Sequence, residues 1–465
     1  MNSEEEVPQF ADDFKRMVRI VVWNSLGFFF LDFLVPIFAN ESLEVSGTVV
    51  GFLMSVRTIG ILLSSTFAGF IVDRASSKKR FVVLGGIGRG ISYFVLFTSL
   101  VSKSLAGLMT GMFILGFSAG LFWIPFNTLV AQKSHKNNRA YAYGRKDLAV
   151  GFGLFIGGIL GFTLYGLSLA YSIENVFFTY GSILVFGVSN FAAAFAFHQS
   201  IDETKRVDVE EIIVEDENSE NLVESRAEVV PSVTGALEEG EGKEDGAGGS
   251  FLGINIASLT SENREETGSN TDKMRMLMIG IAFLLAVVLF SAINDTLVKP
   301  FLNIYVLENI NDQELYAMAA YIPAGVTSML LAPRMGKVVD RIHPAIGVTI
   351  TSILGALITW ILIHTSSIIG FSLLLLIDTT IAKVAALVVQ NIVSRVSRKN
   401  RGKMMGANMV FQNLGFVVGP IIGGVLWDNV GQTMPFIMSI FVELSLIPMY
   451  WAAVKYVKGN LEENL

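Results

Sequence analysis

The chain has 465 residues, of which 52% are hydrophobic and 16% are charged, and its mean hydropathy is +0.56. Soluble proteins have about 25% charged residues, so this composition excludes an ordinary soluble domain and indicates an integral membrane protein. The absence of cysteine excludes disulfides, thiolate catalysis and cysteine-based metal sites. The four histidines form no cluster in the sequence, so we expect neither a metal nor a cofactor.

A short polar segment, residues 1–17, precedes a series of long apolar runs. Each run is close to the roughly 20 residues that a helix needs to cross the hydrocarbon, whereas a barrel strand needs only about ten. The predicted fold class is therefore an all-α integral membrane protein. The twelve predicted spans are Val18–Ala39, Gly47–Val72, Phe81–Val101, Leu105–Ala131, Asp147–Tyr171, Val176–Phe197, Met276–Val298, Leu315–Val338, Ala345–His364, Ile369–Ser394, Met404–Trp427 and Met434–Lys455.

The segment 198–275 separates the first six spans from the last six and differs from both in composition. Between His198 and Lys273 it has 20 acidic and 6 basic residues, and it has few aromatic residues. Such a segment cannot bury enough apolar surface to fold alone, so we interpret it as a disordered linker. A regulatory or partner-binding role is the alternative. The predicted domains are thus the bundle 18–197, this linker, the bundle 276–455 and a tail, 456–465.

Lysine and arginine concentrate in the loops that follow even-numbered spans. The loop after span 2 has four basic residues within Arg74–Arg80, whereas the opposite loops offer only Lys103 and Lys299. Short basic loops stay on the cytoplasmic side of a membrane. We therefore predict a multi-pass protein of the cell membrane with both termini and the linker in the cytoplasm.

Two halves of the chain repeat one pattern. The sequence Gly69-Phe-Ile-Val-Asp73-Arg74 follows span 2, and Gly336-Lys-Val-Val-Asp340-Arg341 follows span 8. At a similar separation, Arg139 corresponds to Arg401, and the glycines of span 5 (Gly153, Gly157, Gly161) correspond to those of span 11 (Gly415, Gly419, Gly423). A shared separation in several regions indicates an internal duplication. The spans should form two pseudo-symmetric six-helix bundles.

The duplicated bundle, the acidic central linker and the Gly-x-x-x-Asp-Arg loops together resemble the major facilitator superfamily. The resemblance covers nearly all of the chain outside the linker. It implies transport by alternating access, with spans 1, 4, 7 and 10 lining a central cavity. The glycine run of span 5 also resembles a motif of drug:proton antiporters, although Gly158 stands where that motif has a proline.

The family resemblance gives the Gly-x-x-x-Asp-Arg loops a role as a cytoplasmic gate. A carboxylate near a helix N-terminus is stabilising by roughly 0.3–1 kcal/mol, so we expect Asp73 near the start of span 11 and Asp340 near the start of span 5. A simple positive-inside anchor is the alternative. The predicted gate residues are Gly69, Asp73, Arg74, Arg139, Gly336, Asp340, Arg341 and Arg401.

Six ionisable residues lie well inside the apolar runs. Each would cost about 2.5–3.5 kcal/mol on a lipid-facing helix, so we expect them to face one another or a hydrated cavity. Asp32 and Arg57 reach a similar depth, which suggests an ion pair. Permanent structural pairing is the alternative for the whole set. The predicted cavity residues, with one aromatic and two amide side chains added, are Asp32, Arg57, Trp123, Asn127, Asp295, Lys299, Asp378, Lys383 and Gln412.

The function that these features indicate is secondary active transport of a small solute, with the proton as coupling ion. Asp32, Asp295 or Asp378 would carry the proton, and Asp32 is preferred because Lys299 lies one turn from Asp295. A membrane receptor that signals through the acidic linker is the rival hypothesis. The expected partners are a small-molecule substrate of open class, the proton and the lipid bilayer. We expect no enzymatic activity, no nucleic-acid partner and a monomer.

The predicted orientation can be tested by cysteine labelling, since the natural chain has no cysteine. A single cysteine at Ser46 or Ser172 should react from outside intact cells with an impermeant maleimide. A cysteine at Ser77 or Ser250 should react only after the cells are permeabilised. Labelling of Ser77→Cys from outside would contradict the twelve-span topology.

Overall fold

The computed structural model describes residues 10–74, 77–135, 139–173, 175–207, 250–251, 254–255, 270–325, 343–395 and 401–457. At several helix ends, among them 66–74, 139–140 and 401–403, only the backbone is described. The helices are α1 (Phe14–Asn24), α2 (Phe28–Glu41), α3 (Gly47–Arg74), α4 (Lys78–Val101), α5 (Leu105–Gln132), α6 (Arg139–Ala170), α7 (Val176–Thr179), α8 (Gly181–Ser200), α9 (Asn270–Leu297), α10 (Lys299–Asn309), α11 (Glu314–Ala320), α12 (Pro344–Leu362), α13 (Ile368–Arg395), α14 (Arg401–Asn429) and α15 (Met434–Val457).

Within these residues, 11 stretches are long and apolar enough to cross a membrane. They correspond to eleven of the twelve predicted spans. Most of the remaining predicted span, Leu315–Val338, lies outside the described residues. The helix of span 5 begins at Arg139 rather than at the predicted Asp147. A helix need not end where the hydrocarbon ends, and the polar turns of α6 continue it beyond the apolar run.

The chain forms two compact units that do not follow chain order strictly. The first contains Met1–Val35 and Val56–Val230, and the second contains Pro36–Ser55 and Pro231–Leu465. The second unit therefore includes the end of α2 and the start of α3. Each unit has its own apolar core, centred on Phe14, Phe122 and Phe126 in the first and on Leu284, Val288 and Tyr450 in the second.

Span 1 is broken, although the sequence predicted one continuous helix. The helix α1 ends at Asn24 and α2 begins at Phe28. Between them, Gly27 has a φ of +92°, in the left-handed region that side chains disfavour. A Cβ at Gly27 would also lie 2.6 Å from Cδ2 of Phe186. Only glycine fits this turn.

A break inside hydrocarbon must have its backbone groups hydrogen-bonded by protein, because no water is available there. The carbonyl groups at the end of α1 meet this requirement with side chains from α4 and α8. Arg89, which is fully buried, donates to the carbonyl and the side-chain oxygen of Asn24. Tyr93 Oη donates to the Leu26 carbonyl at 2.8 Å, and Ser189 Oγ donates to the Trp23 carbonyl at 2.8 Å.

The buried guanidinium of Arg89 is held by rings as well as by hydrogen bonds. Its Cζ lies 4.3 Å from the ring centroid of Phe28, at the start of α2, and 5.5 Å from that of Phe122. A desolvated cation over an aromatic ring is stabilised by the negative face of the ring. Arg89 thus contacts both sides of the helix break and joins α1 to α2.

The glycine runs of spans 5 and 11 are packing surfaces. On α6, a Cβ at Gly157 would lie 2.6 Å from the Gly27 nitrogen, so α6 approaches the break in span 1 backbone to backbone. On α14, a Cβ at Gly415 would lie 2.6 Å from Cβ of Ala292, and one at Gly419 would lie 2.7 Å from the Ile293 carbonyl oxygen. Small residues four apart permit such close approach. Both duplicated runs therefore pack in the same way, each against the first helix of its half.

The beginning of the predicted linker contacts the first unit. Lys133, at the end of α5, is buried and its Nζ donates to both carboxylate oxygens of Asp13 at 2.8 Å. The same Nζ donates to the Asp202 carbonyl at 2.5 Å, and the Asp202 nitrogen donates to Asp13 at 2.9 Å.

Further along the predicted linker, two short strands pair Ser250 with Asn255. The helix α9 begins at Asn270, before the predicted bundle boundary at 276. Most of the linker lies outside the described residues, so its disorder stays a prediction.

Replacing Arg89 tests the role of the capped break. Arg89→Met keeps a long side chain but leaves the Asn24 carbonyl and side-chain oxygen without their donor. The loss of hydrogen bonds from a charged group should destabilise the fold by about 2–4 kcal/mol and lower the melting temperature of the purified protein in detergent. Ser189→Ala, which removes one exposed hydrogen bond to the same helix end, should have a much smaller effect. An unchanged melting temperature for Arg89→Met would contradict this role.

Candidate functional site

The first unit contains the predicted pair of Asp32 on α2 and Arg57 on α3. Arg57 Nη1 donates to Asp32 Oδ1, which confirms the ion pair. The two side chains are 18% and 19% exposed, so the pair is partly desolvated but still accessible. The carboxylate of a partly exposed ion pair can exchange the guanidinium for a proton or a ligand more readily than the carboxylate of a fully buried pair.

Neighbouring helices fix the position of each partner. Asp32 follows the span 1 break by little more than one turn, and α6 packs on this part of α2, where a Cβ at Gly161 would lie 2.5 Å from Cγ of Phe30. Arg57 lies where α3 touches α5, since a Cβ at Gly116 would lie 2.7 Å from the Arg57 carbonyl carbon. Tyr93, one of the residues that cap the break, is close enough to interact electrostatically with both members of the pair.

Trp123 and Asn127, the other predicted cavity residues of this unit, lie on α5 and contact α6. Lys146 Nζ donates to Asn127 Oδ1 at 3.3 Å and lies 5.8 Å from the ring centroid of Trp123. Tyr143 Oη donates to the Asn127 carbonyl at 3.1 Å. The bond between Lys146 and Asn127 joins α6 to α5, so Asn127 takes part in an interhelical contact. Lys146 was not among the predicted cavity residues.

The second unit contains the remaining predicted cavity residues, on α9, α10, α13 and α14. Asp295 is exposed and interacts electrostatically with Asp378 and with Lys299. Asp378 is half-buried, while Lys383 and Gln412 are exposed. Asp295 and Asp378 thus belong to one electrostatic group, and the base described in it, Lys299, interacts with Asp295.

Glu443 on α15 is a member of this acidic group that sequence reasoning left without a role. Its carboxylate interacts electrostatically with Asp378 and Asp295 and hydrogen-bonds with Asn294. The absence of a side chain at Gly355 makes room for it, since a Cβ there would lie 2.6 Å from Glu443 Oε1. A charge inside an apolar run was the available signal, but its partners lie far away in the sequence and could not be predicted.

The predicted cytoplasmic gate falls on residues for which side chains are not described. Gly69, Asp73 and Arg74 form the last turns of α3, and Arg139 and Arg401 begin α6 and α14, but only their backbone is described. Gly336, Asp340 and Arg341 lie outside the described residues. In the part of the chain that is described, no three His, Cys, Asp or Glu side chains are arranged to hold a metal ion.

Helices of membrane-spanning length in a duplicated order define a multi-span membrane protein. The sequence profile of the Major Facilitator Superfamily matches residues 20–237 and 284–463. The chain therefore belongs to this superfamily, and its fold comprises two pseudo-symmetric six-helix halves.

Curated relatives agree with this assignment, and solved structures agree with its fold. Multidrug resistance protein 1 of Bacillus subtilis is 24% identical over 450 residues, which are 91% of this chain and 92% of the relative. Multidrug resistance protein MdtG of Escherichia fergusonii is 30% identical over 165 residues, which are 34% of this chain and 40% of the relative. A crystal structure of a POT family transporter in complex with 5-aminolevulinic acid has a TM-score of 0.68 at 15% identity and covers 97% of this chain and 98% of that one.

The ion pair of Asp32 and Arg57 can be measured by a double-mutant cycle. Asp32→Asn and Arg57→Gln should each lower the melting temperature, and the double variant should be less destabilised than the sum of the two. A coupling of about 0.5–3 kcal/mol is expected for residues in direct contact. The exposed pair of Lys205 and Asp12, 3.6 Å apart, is the control and should show coupling near zero. Additive effects for Asp32 and Arg57 would show that the pair contributes nothing.

Proposed function

We propose that this protein is a proton-coupled exporter of structurally varied small molecules that works by alternating access. Its membership in the Major Facilitator Superfamily supports transport, and the names of the relatives, multidrug resistance proteins, suggest the substrate class. One solved structure with the same fold belongs to a proton-dependent oligopeptide transporter. The rival receptor hypothesis has no observation in its favour and is not proposed.

The observation that carries the proposal is the partly exposed ion pair between Asp32 and Arg57 inside membrane spans. A carboxylate couples proton movement to transport if it is ionised and paired in one state and protonated and unpaired in the other. Desolvation favours the protonated acid, while a nearby guanidinium favours the carboxylate. We propose that the state described here is the paired state, and that separation of Asp32 from Arg57 accompanies proton uptake.

The acidic group of the second unit is the other place where a proton or a cationic substrate could bind. Asp295, Asp378 and Glu443 interact with one another, and Asp295 is exposed. Like charges that lie close together repel one another, so a bound proton or cation would stabilise this group. In our proposal this group binds substrate or a further proton, while Asp32 performs the coupling.

The predicted orientation and gate are part of the same proposal. The concentration of lysine and arginine in the loops after even-numbered spans supports a cytoplasmic location of both termini and the linker. Asp73 and Asp340 are proposed to close the cytoplasmic side by interacting with the N-termini of α14 and α6. The charge pattern of the loops and the family resemblance support this assignment.

Asp32→Asn tests the coupling, because asparagine keeps the size and hydrogen bonding of aspartate but cannot titrate. In proteoliposomes with an imposed pH gradient, the natural protein should accumulate at least one of a panel of cationic, neutral and anionic fluorescent dyes, ethidium among them. Asp32→Asn should lose at least 90% of the gradient-driven accumulation but keep dye exchange at equal pH.

Asp378→Asn and Glu443→Gln are the matched comparisons for this experiment. Either should weaken dye binding or exchange more than it weakens the response to the gradient. If Asp32→Asn transports normally and Asp378→Asn loses gradient-driven transport, the coupling role passes to the second unit. If the natural protein accumulates no dye of any charge, multidrug export is wrong for this chain.

A further inference from the structure

A carboxylate joins α14 to the first turn of α3 within the second unit. Asp428, at the end of α14, accepts hydrogen bonds from the Gly47 nitrogen at 2.7 Å and from the Thr48 nitrogen at 2.8 Å. It also accepts one from Thr48 Oγ1 at 2.6 Å. The first N–H groups of a helix have no acceptor inside that helix, and a negative charge interacts favourably with them. Asp428 is therefore the N-terminal cap of a helix to which it does not belong.

Beyond this cap, α3 and α14 touch backbone to backbone. A Cβ at Gly51 would lie 2.7 Å from the Pro420 carbonyl carbon, and a Cβ at Gly424 would lie 2.6 Å from Cα of Thr48. Ser55, which is fully buried, donates through Oγ to the Val417 carbonyl at 2.7 Å. Small residues at four-residue intervals on α3 permit this approach. The crossing leaves no space for a solute between the two helices.

A second polar contact closes the same end. Glu308, near the end of α10, accepts hydrogen bonds from Asn40 Nδ2 at 3.0 Å and from Gln432 Nε2. Asn309 Nδ2 donates to Gln432 Oε1 at 3.1 Å. These bonds are exposed, as is Asp428, so water can replace them when the partners separate. These polar contacts thus differ from the close helix contacts at Gly51 and Gly424, because water cannot replace the packing that is lost when those contacts open.

We propose that Asp428 is a gate residue, which holds the start of α3 against α14 in the state described here and releases it when this end of the transporter opens. This inference rests on alternating access in the proposed function. Because α3 is one helix from Gly47 to Arg74, movement of its first turns also moves Arg57, two residues beyond Ser55. Release of Asp428 would therefore strain the ion pair with Asp32. The gate and the proposed coupling site share one helix.

The test measures opening directly, without substrate or gradient. The natural chain has no cysteine, so Ser55→Cys places a single thiol, similar in shape to serine, in the closed crossing. The rate of reaction with N-ethylmaleimide in detergent reports the open fraction. All samples are measured at one pH, so that the protonation of the nearby acids Glu41, Glu308 and Glu314 is the same in each. Asp428→Asn should raise this rate about tenfold, because loss of a charged cap changes such an equilibrium by ~1.4 kcal/mol. Thr48→Val, which keeps both backbone donors, should raise it only about twofold.

Three controls separate gating from general loss of structure. Ser92→Cys, buried in the first unit, should react at the same slow rate with and without Asp428→Asn. Asn429→Ala, which removes a side chain that donates to the Val425 carbonyl of its own helix, should leave the Ser55→Cys rate unchanged. Asp428→Glu keeps the charge, so the Ser55→Cys thiol should react nearly as slowly in this variant as it does with the natural Asp428.

The inference is overturned if Asp428→Asn changes the Ser55→Cys rate by less than twofold. It is equally overturned if the Ser92→Cys rate rises in parallel, because the substitution then merely unfolds the protein. Since neither readout involves transport, these outcomes are distinct from a failure of the proposed function, which would appear as a natural protein that moves no dye. A rate increase confined to Ser55→Cys supports the gate even in that case.

Discussion

The need to hydrogen-bond every backbone group inside hydrocarbon underlies the arrangement of the first unit. The break in span 1 would be prohibitive in lipid, and it exists because Arg89, Tyr93 and Ser189 supply donors to the exposed carbonyl groups. Those donors require α4 and α8 to lie beside the break, and the absence of a side chain at Gly157 allows α6 to approach it closely. The position of Asp32, just beyond the break, depends on all of these contacts together.

This transporter has two kinds of helix contact, which differ in how easily they can open. The glycine contacts of α6 with span 1 and of α14 with α9 bring the helix backbones close together and hold these helices to each other. The contacts at the start of α3 combine a close crossing with exposed hydrogen bonds from Asp428 and Glu308. Hydrogen bonds that water can replace cost less free energy to break, as the proposed alternating access would require.

Charge is distributed differently in the two units. The first pairs Asp32 with Arg57 and buries Arg89 among rings and carbonyl groups, so its acid has a dedicated base. In the second unit, Asp295, Asp378 and Glu443 interact with one another, and the base described beside them, Lys299, interacts with Asp295. A paired acid suits a switch between two partners, and an acidic group suits the binding of something positive. The duplicated fold thus supplies two chemically different halves from one architecture.

The sequence by itself determined the membrane class, the eleven spans that lie within the described residues and the internal duplication, and it suggested the pair of Asp32 and Arg57. These follow from run length, from repeated spacing and from the depth of a charge in a span, all of which are local or regular properties. The break in span 1 was not predictable, because its apolar run continues without interruption and its donors come from α4 and α8. The place of Glu443 beside Gly355 and the cap that Asp428 provides were equally invisible. Each joins residues far apart in the chain, and only the packing of the helices decides which distant donor meets which acceptor.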